Sequence, residues 1–156
     1  GSVGHVQLWG PKQELVRFLQ PTSVVPLKPT ENGVHGIRVN GQSKLYKKLP
    51  LSTAPDAYLL GFLQGYFATD GTAFVQTCID SSNREALEFV RYAAARVGIA
   101  TSPVASYWRK GIGDHEGFLH RVAFHRSSLW PEFAIRADHR EAILSSGSWG
   151  GVPRLS

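Results

Sequence analysis

Asp70 is the residue whose surroundings are best suited to chemistry. It follows Leu60, Leu63 and Phe67, whose helical spacing predicts that residues 59–71 form a helix anchored in a core. A carboxylate fixed at the end of such a helix is well placed to hold a metal ion, because hard cations prefer oxygen ligands. A buried helix that ends in a structural Asp-Gly turn is the alternative that these residues leave open.

The glycines of the same stretch have two predicted uses. Gly61 and Gly65 stand four residues apart, so they share one helix face and let a second backbone approach closely. Gly71 follows the acid and lets the chain turn away at the end of the helix. We therefore expect a helix with one apolar side in the core and one glycine side open to a partner helix.

The composition limits the class of protein. The 156 residues suffice for one compact domain or two small fused units, and 42% hydrophobic with 19% charged residues is typical of a globular protein. The 17 Lys and Arg residues against 12 Asp and Glu residues favour a polyanionic partner, nucleic acid first. The single Cys78 excludes an internal disulfide and a cysteine-based metal cage. No membrane-length apolar run or signal segment is present, which predicts a cytoplasmic location and no membrane partner.

Local patterns predict the elements that must position the acid. Ser81, Ser82 or Asn83 can cap a helix that Gly98 ends, and alternating apolar and polar residues indicate strands. The predicted strands are residues 6–9, 35–40, 73–79, 104–109 and 118–125, and the predicted helices begin at Pro11 and at Asp56 or span 84–97 and 133–144. In the strand 118–125, alternation predicts that Val122 and Phe124 point inward and that Arg121, Ala123 and His125 point outward.

The two halves of the chain resemble each other as an internal repeat. Residues 6–7 correspond to 75–76, and residues 34–39 parallel 119–124. Each half is therefore predicted to contain a strand, a helix and then one or more further strands. The helix that precedes Gly71 has no counterpart in the first half, because the chain begins at the equivalent position. The absence of methionine and the N-terminal glycine also indicate a fragment of a longer product.

The segment 63–71, with sequence LQGYFATDG, resembles the LAGLIDADG motif of homing endonucleases, and the predicted helix and strands that follow it match the same family. The fuller pattern, with the segment 58–63 leading into the motif, is similar to endonuclease domains inserted in inteins, particularly those in phage replication proteins. The resemblance implies an α+β fold of two αββαββ-like halves with saddle-shaped antiparallel sheets, here with the first motif helix missing. It divides the chain into a first half-domain at residues 1–50, a second at 51–144 and a C-terminal linker at 145–156.

The resemblance also implies a site and a partner. Asp70 and Gly71 would hold Mg²⁺ or Mn²⁺ for phosphodiester hydrolysis, and Lys47, Lys48 or Arg136 could assist near the metal. Ala68 departs from the motif at a position that does not usually carry the metal. A second motif helix is required, either from a lost N-terminal segment, from another chain or from a homodimer joined through Gly61 and Gly65.

Double-stranded DNA is the implied substrate, and outward strand positions are its predicted contacts. Amide and guanidinium side chains on strands can reach base edges in the major groove. The candidate DNA-binding residues are Gln7, Arg38, Asn40, Gln76, Arg109, Arg121 and His125. Two other classes stay open, namely a DNA-binding module of the same fold that no longer cleaves, and a basic α/β domain whose Asp-Gly turn is structural.

Overall fold

The computed structural model describes residues 3–18, 24–26, 35–40, 48–110 and 116–146. The chain divides into two units, Gly1–Lys48 and Leu49–Ser156. Among the described residues, none of the helices combines the length and apolar character that a bilayer crossing requires. The predicted linker at 145–156 lies almost wholly outside this part of the chain.

The first unit contains a small antiparallel sheet. Its strands are β1 (Val3–Leu8), β2 (Val24–Pro26) and β3 (His35–Asn40), in the order β1-β3-β2. The helix predicted to begin at Pro11 is a 3-10 helix, Gly10–Phe18, on which Leu15 is buried. The third strand has the predicted bounds, while β2 lies in a proline-rich stretch where no strand was predicted.

The second unit opens on the predicted motif helix, α1 (Asp56–Asp70). Pro55 precedes it in an extended conformation, and Asp56 places a negative charge in the first turn, where the helix dipole favours it. The side chain of Arg96 fixes this beginning, because its guanidinium donates to the Asp56 carboxylate at 2.5 Å and to the Ser52 carbonyl at 3.1 Å. These contacts hold the first turn of α1 against the side chain of Arg96, at the C-terminal end of the later helix that spans residues 84–96.

A four-stranded antiparallel sheet and two more helices follow. The strands are β4 (Gly71–Thr72), β5 (Cys78–Ser81), β6 (Ala105–Lys110) and β7 (Glu116–Ala123), and their order is β4-β5-β7-β6. Between β5 and β6 runs α2 (Arg84–Arg96), and after β7 comes α3 (Ala137–Ser145). Asn83 is the cap of α2, because its side-chain oxygen accepts from the Ala86 N–H at 3.1 Å. Gly98 ends this helix with a φ of 81°.

Two predicted elements differ from the structure. The strand at 73–79 is wrong for residues 73–77, which lie between β4 and β5. Arg126 holds both ends of this segment, because its guanidinium donates to the Ala73 carbonyl at 2.6 Å and to the Thr77 side-chain Oγ1 at 2.9 Å. The last helix begins at Ala137 rather than at residue 133, because Pro131–Phe133 forms a 3-10 turn that buries Phe133 against Phe67.

The core of the second unit lies between the helices and one face of the sheet. Leu59, Leu63 and Phe67 of α1 are fully buried there, as the helical spacing predicts for the last two. The core cluster also includes apolar residues of α2, β5, β7 and α3, among them Leu87, Val90, Ala94, Ile79, Val122 and Ile143. One face of the sheet is therefore covered by helices, and the side chains at alternate positions belong to the other face.

Both units order their strands in the same way. In the first unit β3 pairs with both β1 and β2, and in the second β7 pairs with both β5 and β6. Each unit also has a helical segment between its first and second strand of this set. The predicted correspondence of residues 75–76 with 6–7 does not fit this scheme, because 75–76 precede β5.

Candidate functional site

The carboxylate of Asp70 stands exposed at the C-terminal end of α1. Directly after it the chain leaves the helix at Gly71, whose φ of −85° any residue could adopt, so backbone conformation alone does not require a glycine here. A Cβ at Gly71 would lie 2.5 Å from the Phe67 carbonyl oxygen and would also overlap the Phe67 ring. The glycine is therefore required by close packing, and this packing fixes the backbone that carries Asp70.

Arg136 braces the same end of α1 from within the protein. It is 7% exposed, and its Nη1 donates at 3.3 Å to the Ala68 carbonyl, one of the last carbonyls of the helix. Its Nε and Nη2 donate to the two carboxylate oxygens of Asp138 at 3.0 and 2.5 Å. Desolvation raises the pKa of Asp138, but the hydrogen bond and charge of Arg136 outweigh it, so that the pKa lies below its usual value. These contacts support a structural role at the helix end for this predicted catalytic residue.

The glycine side of α1 is open among the described residues. A Cβ at Gly61 or Gly65 would meet no described atom within 4 Å. Tyr58 and Thr69 extend the same side, and Tyr58 is 63% exposed. A helix side of small residues with an aromatic at one end fits the predicted close approach of another helix.

The sheet face opposite the helices carries a charged pair. Asp80 of β5 and Arg121 of β7 are directly opposed in the antiparallel register. Arg121 donates from Nε to Asp80 Oδ1 at 2.6 Å and from Nη2 to Asp80 Oδ2 at 2.8 Å. Chiefly through this hydrogen bond, Arg121 holds the pKa of Asp80 below its usual value. The pair is bidentate and fixes the plane of the guanidinium.

Two further side chains complete this group. The Tyr107 ring lies 5.4 Å from the guanidinium carbon of Arg121, and its hydroxyl donates to Asp80 Oδ2 at 3.2 Å. The Gln76 amide oxygen accepts from Arg121 Nη1 at 3.5 Å. We call Gln76, Asp80, Tyr107 and Arg121 the sheet-face cluster. Two of its members, Gln76 and Arg121, are predicted DNA-binding residues, and the structure brings them together.

The segment between β4 and β5 projects from the structure beside this face. Its ends, Ala73 and Thr77, are buried and held by Arg126. Between them, Val75 is 97% exposed and Phe74 is 63% exposed, and Gln76 is exposed as well. A loop that is anchored at both ends and presents apolar and amide side chains to solvent is suited to bind a partner surface.

The other predicted site residues are scattered over the described parts. Arg109 on β6 and His125 after β7 are exposed, as is Lys48. In the first unit, Gln7 is exposed and pairs with Gly36, and positions 38 and 40 follow at two-residue steps along β3, so all three positions belong to one face of that ladder. Lys47 and the side chains of Arg38 and Asn40 lie outside the described part of the chain.

Sequence reasoning missed Asp80, Tyr107 and Arg126. The first two share strand parity with predicted contacts, since Asp80 lies four residues after Gln76 and Tyr107 two before Arg109. Strand parity could therefore have predicted Asp80 and Tyr107. The contact of Arg126 with residues 73–77 joins segments about fifty residues apart, and no local sequence pattern predicts it.

The donor set near Asp70 fits part of a site for a hard divalent cation. An exposed carboxylate at the partially negative end of a helix attracts cations, and no residue that the structure describes pairs with it. Among the same residues, no group of three or more His, Cys, Asp or Glu side chains is close enough to hold a metal ion. Mg²⁺ commonly takes one or two carboxylates and completes its shell with water and substrate phosphate. Asp70 would thus be one carboxylate ligand of such a site.

Comparison with known proteins identifies the fold. The family model of the LAGLIDADG-like domain matches residues 57–142, more than half of the chain. The structure is similar to I-DmoI in complex with DNA and Ca, with a TM-score of 0.56 and 11% identity over 92% of this chain and 83% of that one. It is similar to I-DmoI in complex with DNA and Mn, with a TM-score of 0.51 and 11% identity over 96% and 81% of the two chains.

Mesophilic variants of the homing endonuclease I-DmoI match with a TM-score of 0.51 and 10% identity, over 92% of this chain and 78% of that one. No protein of curated function matches the sequence. The α+β fold with antiparallel sheets that the motif resemblance implies is confirmed. The family match spans the acid-bearing helix, its sheet and the last helix, and the chain therefore belongs to the family of LAGLIDADG-like domains.

Proposed function

We propose that this chain binds a specific double-stranded DNA sequence and takes part in its cation-dependent cleavage, with Asp70 as an essential acid. The observation that carries the proposal is that, among the aspartates the structure describes, Asp70 alone has no ion-pair partner among the described residues. Asp56, Asp80 and Asp138 are each paired with an arginine. Asp70, at the braced end of α1, is paired with no described residue. An acid that the fold holds rigidly and leaves unpaired in a basic protein is available for a ligand.

Asp70, together with the backbone at Gly71, would hold Mg²⁺ or Mn²⁺. A divalent cation in this position supplies charge that stabilises the phosphoryl oxygens and lowers the pKa of the attacking water. The contribution of the chain is to fix the carboxylate, because Phe67 packs against Gly71 and Arg136 donates to the Ala68 carbonyl. The crystal structures of I-DmoI with DNA and Mn or Ca support a divalent cation for this fold.

DNA would lie against the sheet face that the helices leave uncovered. Arg109 and Arg121 bring positive charge to this face, and Gln76 adds an amide beside them. The chain as a whole carries a net charge of +5. The DNA complexes of I-DmoI support this choice of substrate.

The second acid would come from a second motif helix, either N-terminal to Gly1 or in another copy of the chain. The open glycine side of α1, at Gly61 and Gly65, supports a partner helix at close distance. If that helix comes from another copy, the cleavage rate rises more steeply than the first power of the chain concentration.

We also propose that the endonuclease belongs to an intein, on the strength of the sequence resemblance at residues 58–63. The encoding gene would then carry splicing segments on either side of this region. Reading the flanking codons for a nucleophile at one end and a terminal His-Asn pair at the other tests this point.

The experiment that tests the function uses the full chain and a pool of randomised DNA duplexes. Bound duplexes are sequenced, and the enriched duplex is incubated with the chain in Mg²⁺, in Mn²⁺ or in a chelator. We expect an enriched sequence and cation-dependent cuts within it. Enrichment without cleavage at any chain concentration, and also when the region encoded N-terminal to Gly1 is included, would favour the second candidate, a DNA-binding module that no longer cuts. Failure to enrich any sequence would overturn both.

A further inference from the structure

The ion pair in the sheet-face cluster uses only some of the hydrogen-bond donors of Arg121. Its two short bonds to Asp80 use Nε and Nη2, on one edge of the guanidinium. Its other contacts are long, 3.5 Å from Nη1 to Gln76 and 3.4 Å from Nη2 to the Tyr107 hydroxyl. Because a guanidinium has five N–H donors, the outer edge formed by Nη1 and Nη2 keeps donors for a ligand.

The pair is also held in place while remaining accessible. The side chains of Arg121 and Asp80 are 37% and 25% exposed. Tyr107 packs near the guanidinium, and the β5-β7 register sets the two residues directly opposite each other. A surface arginine side chain normally samples many conformations. Here Asp80, Tyr107 and Gln76 restrict the side chain of Arg121 before any ligand binds, which lowers the entropy cost of binding.

We propose that Asp80 is a positioning residue that presents the outer edge of Arg121 to a guanine in the major groove of the bound DNA. This inference rests on the proposed function and deepens it. Guanine offers two adjacent acceptors, O6 and N7, and a bidentate arginine is its commonest specific partner. Asp80 would act through Arg121, since both of its carboxylate oxygens already accept hydrogen bonds.

The surroundings favour a base over a phosphate as the ligand. Asp80 neutralises the charge that Arg121 would offer to a phosphate, whereas recognition of a base depends on the geometry of donors. The two residues also lie on β5 and β7, the two inner strands of the sheet. The major groove is wide enough to admit two paired strands, so side chains on the neighbouring strands β5 and β7 can reach base edges there.

The test compares the full chain with three variants on a pool of randomised duplexes. Arg121→Lys replaces the guanidinium with an ammonium group that cannot make a planar bidentate contact. Asp80→Asn removes the carboxylate that orients the guanidinium. Glu88→Gln is the matched control. The control also removes one negative charge from an exposed pairing with arginines, but it lies on α2. Affinity for the enriched duplex is then measured with guanine or 7-deazaguanine, which lacks the N7 acceptor, at each conserved guanine.

We expect one guanine position that the wild-type chain prefers by about 5- to 150-fold. This preference falls in Arg121→Lys and Asp80→Asn but not in Glu88→Gln. Replacing the guanine there with 7-deazaguanine weakens binding of the wild-type and Glu88→Gln chains, and it changes the binding of the two sheet-face variants much less. Asp80→Asn should also bind a random duplex more tightly, with a steeper salt dependence, because it adds one positive charge to the face. A purely structural role of Asp80 would instead weaken both kinds of binding.

Three results would overturn the inference. The first is an unchanged preference at every position in both sheet-face variants. The second is that Arg121→Lys or Asp80→Asn loses the same affinity for every DNA sequence, and that the slope of its affinity against salt concentration falls by about one, as expected for a lost phosphate contact. The third is no enriched sequence with the wild-type chain, which overturns the proposed function as well, whereas the first two leave that function standing.

Discussion

Gly71→Ala tests the packing that holds the acid in place. The added Cβ would lie 2.5 Å from the Phe67 carbonyl oxygen and against a fully buried ring, so backbone and ring must both shift. Overpacking of this kind costs about 1–3 kcal/mol, and the lower entropy of the unfolded alanine chain offsets about 0.4–1 kcal/mol. We expect a net loss of about 1–2 kcal/mol in the free energy of unfolding. DNA cleavage should fall more than DNA binding, because the shift displaces Asp70.

Gly61→Ala is the matched control on the same helix. A Cβ there meets no described atom within 4 Å, and alanine in an exposed helix interior is favoured over glycine by about 0.5–1 kcal/mol. Urea unfolding of the two full-length variants, followed by circular dichroism, should therefore separate them by about 2 kcal/mol. A Gly71→Ala chain as stable as the wild type would refute the packing argument. If Gly61 faces a partner helix, its alanine variant should be stable yet impaired in cleavage.

The remaining predictions concern stability. Arg136→Gln should lower the free energy of unfolding, measured in urea, by about 2–4 kcal/mol, because Asp138 and the Ala68 carbonyl lose a buried partner. The control Arg84→Gln, at a side chain that is 55% exposed, should lower it by less than about 1 kcal/mol. Asn83→Ala should cost about 1 kcal/mol through loss of the α2 cap, with Ser82→Ala as a neutral control in the same melts. Arg121 lowers the pKa of Asp80, so the folded chain gives up this proton more readily than the unfolded chain. The resulting stability is complete above the ordinary aspartate pKa of about 3.9 and is lost as the pH falls through the lower folded value. Acid unfolding of Asp80→Asn should show a shallower dependence on pH, and an unchanged curve would contradict the pairing.

Elements with a strong local period could be predicted from the sequence. The motif helix was expected over 59–71 and runs from Asp56 to Asp70, and the helix expected over 84–97 is α2. Their apolar residues recur at helical spacing, and Asn83 and Gly98 mark the ends of α2. The strand at 35–40 is confirmed because its apolar and polar residues alternate over a full strand length.

Features that depend on distant residues could not be predicted. Residues 73–77 contain the strand formers Phe74, Val75 and Thr77, but in the fold the Arg126 guanidinium binds the Ala73 carbonyl and Thr77 Oγ1. The use of Gly71 depends on where the Phe67 ring lies once the core has formed. Asp80 meets Arg121 across a register that joins residues 41 apart, so the cluster follows from the fold and not from any local motif.

Cleavage of the selected duplex by Asp70→Asn is the measurement that tests the central claim most directly. The substitution keeps the size of the side chain and removes only the charge, and Glu85→Gln on α2 controls for an equal charge change elsewhere. In Mg²⁺ and with the second motif helix supplied, from the region N-terminal to Gly1 or from another copy, the wild-type and Glu85→Gln chains should cut the duplex. Asp70→Asn should bind it with nearly unchanged affinity and leave it intact. An Asp70→Asn chain that cuts at the wild-type rate would contradict the assignment of this acid.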